Sequence, residues 1–182
     1  MADSTNYQVP FRRRKEQKTD YDQRLKLLKS GKPRAVVRLS NNHTRVHIAE
    51  YKTDGDENQA QTLSSELEDY GWEGHTGNLP SAYLTGFLAG KKAKVDEAIL
   101  DLGLKEKKRG GKMFAALKGL IDAGVEIPAG EEIFPSEERI RGEHIKEMKG
   151  DDVPANFEET KKQLKVNFNG PTADRRERSL EA

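Results

Sequence analysis

Arg12, Arg13, Arg14, Lys15 and Lys18 crowd one short stretch of this 182-residue chain. Arg24, Lys26, Lys29, Lys32, Arg34 and Arg38 follow closely. Cations on a flexible or helical support can neutralise phosphates, and an arginine can fork onto two phosphate oxygens. Tyr7, Phe11 and Tyr21 flank this cluster. Their rings can stack on unpaired RNA bases or pin the segment to the body of the protein, so Tyr21 stays among the candidate contacts. A second cluster holds Lys105, Lys107, Lys108, Arg109 and Lys112 around Gly110-Gly111. There the glycines let backbone N–H groups approach a phosphate beside a helix N-terminus. Arg139 and Arg141, next to Gly142, lie in acidic surroundings and suit either internal ion pairs or an RNA contact.

Other chemistries lack their residues. There is no cysteine, which excludes disulfides, thiolate zinc sites and cysteine nucleophiles. His43, His47, His75 and His144 are too scattered for a helical metal pair. Gly86 to Lys92 is one residue short of a phosphate-binding loop and lacks its Ser or Thr. That stretch is instead expected to be helix, with Gly86 and Gly90 letting it approach the sheet. No catalytic motif, cofactor or metal is expected. No apolar run is long enough to span a membrane, and residues 1–18 carry no secretory core.

The net charge of +1 argues against a polyanion partner only until it is divided. Residues 1–38 carry a net +7, 39–75 a net −6, 76–120 a net +5, 121–160 a net −8 and 161–182 a net +3. Strong sign asymmetry of this kind lets basic blocks meet phosphate while acidic blocks face water or protein.

Elements must position these clusters. Residues 1–18 read as an extended arm. Thr19 or Asp20 caps a helix over 20–30, ended by Gly31 and Pro33. Residues 34–40 alternate as a strand, with Ala35, Val37 and Leu39 on one face. Asn41-Asn42 signals a tight turn with positive φ, and 44–51 is the partner strand. A weak third strand falls near 59–65, followed by a helical turn or two within 63–70. Asn78 caps a helix running to about 94, a short buried strand covers 97–102, and a helix covers 112–123 with Gly124 beyond its end. A short helix near 143–149 and another capped by Asn156 complete the chain, and 169–182 reads as a loose tail. One sheet covered by helices is the economical architecture.

Several segments together resemble a family. They are Lys18-Thr19-Asp20-Tyr21 with Arg24-Leu25, Lys32-Pro33-Arg34 with Val36-Val37-Arg38, Ser40-Asn41, Gly71-Trp72, Asn78 to Gly86, Glu97 to Asp101, Phe114 to Gly119 with Asp122-Ala123-Gly124, and Arg141 to Ile145. In this order they resemble large-subunit ribosomal protein eighteen of the archaeal and eukaryotic type, a 5S rRNA-binding family. The resemblance spans roughly residues 11–150. It implies an α/β fold in which a mixed β-sheet is packed with helices and a basic N-terminal arm is laid on RNA; the residues along the chain divide it into a basic arm over 1–18, a core over 19–125 and a helical, partly irregular, acidic then mixed-charge extension over 126–182. It also implies residence in the large subunit of the cytoplasmic ribosome, in its central protuberance. The implied partners are 5S rRNA, the large rRNA and neighbouring ribosomal proteins, including the other 5S-binding protein, number five in the bacterial series. The family's RNA-contacting arm maps onto Arg12, Arg13, Arg14, Lys15, Lys18, Arg24 and Lys29, and its first strand and hairpin onto Arg34, Arg38, Asn41 and Asn42. With Tyr21, Lys32, Lys107, Lys108, Arg109, Lys112 and Arg141 these make the expected RNA contacts. The chain departs from the family at Asp56-Glu57, where basic residues are common. The alternative reading is a protein–protein adaptor that uses the acidic 121–160 segment without direct RNA binding.

Overall fold

The computed structural model describes residues 8–150 and 152–169. Tyr7 and the tail beyond Asn169 lie outside them. The elements are α1 (Arg12–Lys15), α2 (Tyr21–Leu28), β1 (Arg34–Leu39), β2 (Thr44–Glu50), β3 (Glu57–Leu63), a 3-10 segment (Ser64–Tyr70), α3 (Leu79–Lys92), β4 (Ile99–Asp101), α4 (Lys112–Asp122), a 3-10 turn (Glu131–Ile133), α5 (Glu137–Arg141), α6 (Glu143–Lys149) and α7 (Val153–Asn169). The sheet order is β3-β2-β1-β4. β1 pairs antiparallel with β2 and parallel with β4, so the sheet is mixed, as expected.

The alternation in β1 and β2 decides which face is core. Ala35, Val37, Val46 and Ile48 are fully buried and meet Phe114, Leu117 and Leu120 of α4 and Ala89 of α3. The opposite face carries Arg34, Val36, Arg38, Arg45 and His47. A second apolar cluster joins Leu67, Trp72, Tyr83 and Leu84 to Ile140, Val153, Phe157 and Leu164. Part of the stretch expected as an extension therefore contributes core residues.

Both central helices begin where the sequence signals. Asn78 Oδ1 accepts the Ser81 N–H at 2.8 Å, and Pro80 stands in the first turn of α3. Gly124, at φ +109°, follows the end of α4. α3 is buried on all sides from Leu79 to Gly90 rather than along one stripe. Gly86 faces α4, not the sheet: a Cβ there would lie 2.0 Å from the Ala116 carbonyl oxygen. Gly119 of α4 reciprocates, its would-be Cβ 2.1 Å from the Tyr83 oxygen. Two glycines thus notch the helices together.

Three local expectations need correction. The arm is not wholly extended, because Arg12–Lys15 forms one helical turn, closed by Lys15 N–H to Phe11 O at 3.0 Å. The β1–β2 turn uses no positive φ at Asn41 or Asn42; Ser40 N–H bonds His43 O at 2.8 Å across a wider loop. Asn156 lies inside α7 instead of capping it. Its side chain donates to Gly71 O at 2.8 Å and accepts from Glu73 N–H at 3.2 Å, tying α7 to the loop that holds Trp72. The short α5 went unanticipated.

Candidate nucleic-acid interface

The open face of the sheet, α1 and α2 enclose a cleft lined by Arg13, Lys18, Arg24, Arg34, Arg38, His47, Asp56 and Asp101 among others. α2 starts where Asp20 Oδ1 accepts the N–H groups of Asp22 and Gln23 at 3.0 and 3.1 Å. It buries no residue completely. Tyr21 is half-buried and meets the exposed Phe11 ring edge-on at 5.3 Å between centroids, so these aromatics join the arm to α2. Arg13 donates to Thr19 Oγ1 at 2.9 Å, and Arg14 lies 3.6 Å from Asp22. Lys18 pairs with Glu16 at 2.9 Å and Arg12 with Glu16 at 3.4 Å. Arg12, Arg13, Arg14, Lys15, Lys18, Lys26 and Lys29 remain exposed. Their surface pairs are weak and readily exchanged for phosphate.

Beneath the arm, arginines and aspartates alternate. Arg24 grips both Asp56 oxygens at 2.9 and 3.0 Å. Arg34 donates to Asp56 at 2.5 Å and to Asp101 at 2.9 Å, and Arg38 donates to Asp101 Oδ1 at 2.9 Å and to the Asp101 carbonyl at 2.7 Å. Arg34 is 3% exposed, so it is withdrawn from any surface contact and serves the interior. This corrects its expected place among the RNA contacts: a buried guanidinium needs its carboxylates and has none to exchange for phosphate. Arg24 and Arg38, at the ends, stay partly open. Burial pushes both aspartates up, but Arg34 and Arg24 outweigh it at Asp56, and Arg38, the Gly103 N–H and Arg34 do so at Asp101. Both carboxyls end below the usual range. Burial, with Arg38 and Arg45 nearby, pushes His47 below its ordinary value and favours the uncharged ring. The departure from basic character after Gly55 thus has a structural reason at Asp56, which holds two arginines.

The second cluster stands on the loop leaving β4. Gly103 and Leu104 line the cleft, and the chain continues into a neighbouring groove of about 1130 Å³ lined by Lys105, Lys108 and Lys112. Lys107, Lys108 and Arg109 are exposed, with long contacts from Lys108 to Glu106 at 3.4 Å and from Arg109 to Glu132 at 3.8 Å. Lys112 is half-buried and donates to Gly77 O at 2.9 Å, bracing the loop before α3. Asn41 and Asn42 are exposed at the hairpin tip, where Thr76 donates to Asn42 O at 2.8 Å. Lys32 pairs with Glu97 at 2.5 Å. Arg141 stands apart on α5, 3.8 Å from Glu137 and 3.7 Å from Glu158.

Sequence reasoning passed over Arg45, exposed on the open face opposite Leu63. The alternation that buries Val46 and Ile48 was the signal for it. It named Asp56 only as a departure from basic character and gave Asp101 no role, because their arginine partners lie far off in sequence and leave no local trace.

A sheet with one apolar face and one arginine-rich face, fronted by an exposed basic helix and arm, has the build of a structural protein that can hold a polyanion. The family described as "Ribosomal large subunit proteins 60S L5, and 50S L18" matches residues 5–96. Large ribosomal subunit protein uL18 of Halorubrum lacusprofundi is 54% identical over 148 residues, 80% of each chain. The uL18 proteins of Haloarcula marismortui and Methanobrevibacter smithii are 47% and 45% identical, over 90% of this chain and 96% and 97% of theirs. The chain belongs to this family of large-ribosomal-subunit proteins.

Proposed function

We propose that this protein is a structural component of the large ribosomal subunit that binds 5S rRNA and helps attach it to the large rRNA in the central protuberance. The observation that carries this reading is the exposed arginine and lysine set of α1 and α2, docked over the arginine-rich open face of the sheet. Arg12, Arg13, Arg14, Lys15, Lys18 and Lys29 contact phosphate, with Arg24 and Arg38 presented behind them. Asn41 and Asn42 at the hairpin tip and Lys107, Lys108 and Arg109 on the neighbouring loop extend the contact. Tyr21 acts through Phe11 to hold the arm, and Arg34 acts from inside. Lys32, Lys112 and Arg141, each with an internal partner, make secondary contacts. Neighbouring ribosomal proteins, including number five of the bacterial series, complete the site. Neutralising phosphates releases counterions, so affinity falls steeply with salt, and recognition rests mainly on RNA shape. Filter binding of the full chain to a 5S rRNA transcript across a salt series tests this. Binding that weakens steeply with salt is expected; no binding, or binding indifferent to salt, overturns it.

A further inference from the structure

The arm and α2 are chained to the sheet by few contacts, and one acidic residue stands at the join. Arg13 and Arg14 are tied to Thr19 and Asp22, and Phe11 packs on Tyr21, so the arm travels with α2. The large apolar side chains of α2 that are even half-buried are Tyr21, which meets Phe11 of the arm, and Leu27 and Leu28. Its charged anchor is Arg24 on Asp56, two hydrogen bonds to one carboxylate. Asp56 is simultaneously bound to Arg34, which is buried in β1. Its side chain is 28% exposed and both oxygens are engaged. It therefore presents little charge to an incoming phosphate while fixing the cations around it.

We propose that Asp56 is a positioning residue for nucleic-acid binding: an acidic side chain on which affinity for a polyanion depends. The proposal rests on the RNA-binding reading above. Its sign is opposite to that of net charge. Removing a carboxylate makes the chain more basic and by long-range attraction alone would tighten RNA binding. Through Asp56 it instead frees α2 and the arm, which must then be ordered at the expense of affinity.

The test uses the full chain and a 5S rRNA transcript, with Kd measured across a salt series for wild type, Asp56→Asn, Asp56→Glu and Asp54→Asn. Asp54 is an exposed neighbour on the same loop and controls for charge. Asp56→Asn is expected to bind about tenfold more weakly and to lose about one to two ions from the salt slope. Asp54→Asn is expected to match or exceed wild type, and Asp56→Glu to recover part of the loss. Amide exchange of the free protein is expected to quicken in α2 for Asp56→Asn while α3 and α4 stay protected. Asp56→Asn binding as tightly as Asp54→Asn overturns the proposal. So does weaker binding with α2 exchange unchanged, or exchange that is fast throughout α3 and α4, which makes Asp56 a general stabiliser. Wild type that fails to bind 5S rRNA overturns the functional reading, and the exchange comparison then still decides whether Asp56 holds α2.

Discussion

The two faces of the sheet are held by different physics. On one, α3 and α4 meet Ala35, Val37, Val46 and Ile48 through apolar contact, and Gly86 and Gly119 bring the helices within backbone range. On the other, α2 rests on an alternating row of three arginines and two aspartates and buries no residue fully. Apolar burial stabilises without direction, whereas the charge row fixes orientation and costs desolvation. The first face keeps the protein folded, and the second presents cations in a set arrangement. Stability and binding should therefore separate at the helix notch and at the exposed arm cations, and fall together at the buried Arg34.

The sharpest break comes at the helix notch. Gly119→Ala puts a Cβ against the Tyr83 oxygen and the Phe87 nitrogen, both backbone atoms that cannot turn aside. It should destabilise by about 3 kcal/mol, read as a lower urea midpoint, while the folded fraction binds RNA normally. Arg34→Met leaves Asp56 without its buried partner and Asp101 with Arg38 as its one remaining charged partner, beside the Gly103 N–H. It should cost about 3 kcal/mol as well, but here RNA affinity falls too, because the same row holds α2.

Replacing Arg12, Arg13, Arg14 and Lys15 together by Gln should leave the urea midpoint within about 0.5 kcal/mol, as for exposed sites. It should weaken RNA binding by about a hundredfold at moderate salt and flatten the salt slope by about three ions. A slope unchanged from wild type would remove the arm from the interface.

The smallest effect is in acid. The lowered folded values of Asp56 and Asp101 contribute stability above the ordinary carboxylate value of about 4, and this is lost as pH falls through the folded values. Asp101→Asn should show a shallower loss of stability on acidification than wild type, followed by thermal unfolding across the acid range. An identical pH dependence would mean the charge row adds nothing to the fold.

Much of the apolar face was legible in the sequence because its signals are local. Alternation placed β1 and β2, Asn78 and Pro80 marked the start of α3, and Gly124 marked the end of α4. The charged face was legible only as composition. Arg24, Arg34 and Arg38 announced cations but not that Asp56 and Asp101 occupy them, since those partners come from a distant loop and from β4. The same limit hid the partner of Gly86, on another helix, and the role of Asn156, which spans from α7 to the loop at Gly71. At Asn41-Asn42 the residue types suited a tight turn, but the loop chosen is wider. What sequence patterns cannot carry is pairing across long separations, and the candidate interface is built from such pairs.

The central claim is that RNA meets chiefly the arm and α2, on the open side of the sheet, and leaves the exposed lysines of α7 uncovered. Lysine-modification footprinting of the free protein and of its 5S rRNA complex tests it directly. Lys15, Lys18, Lys26 and Lys29 are exposed on the arm and α2, and Lys162 and Lys165 are exposed on α7. The first four should lose reactivity in the complex while the last two keep it. Protection of Lys162 and Lys165, with the arm lysines still reactive, would contradict the account.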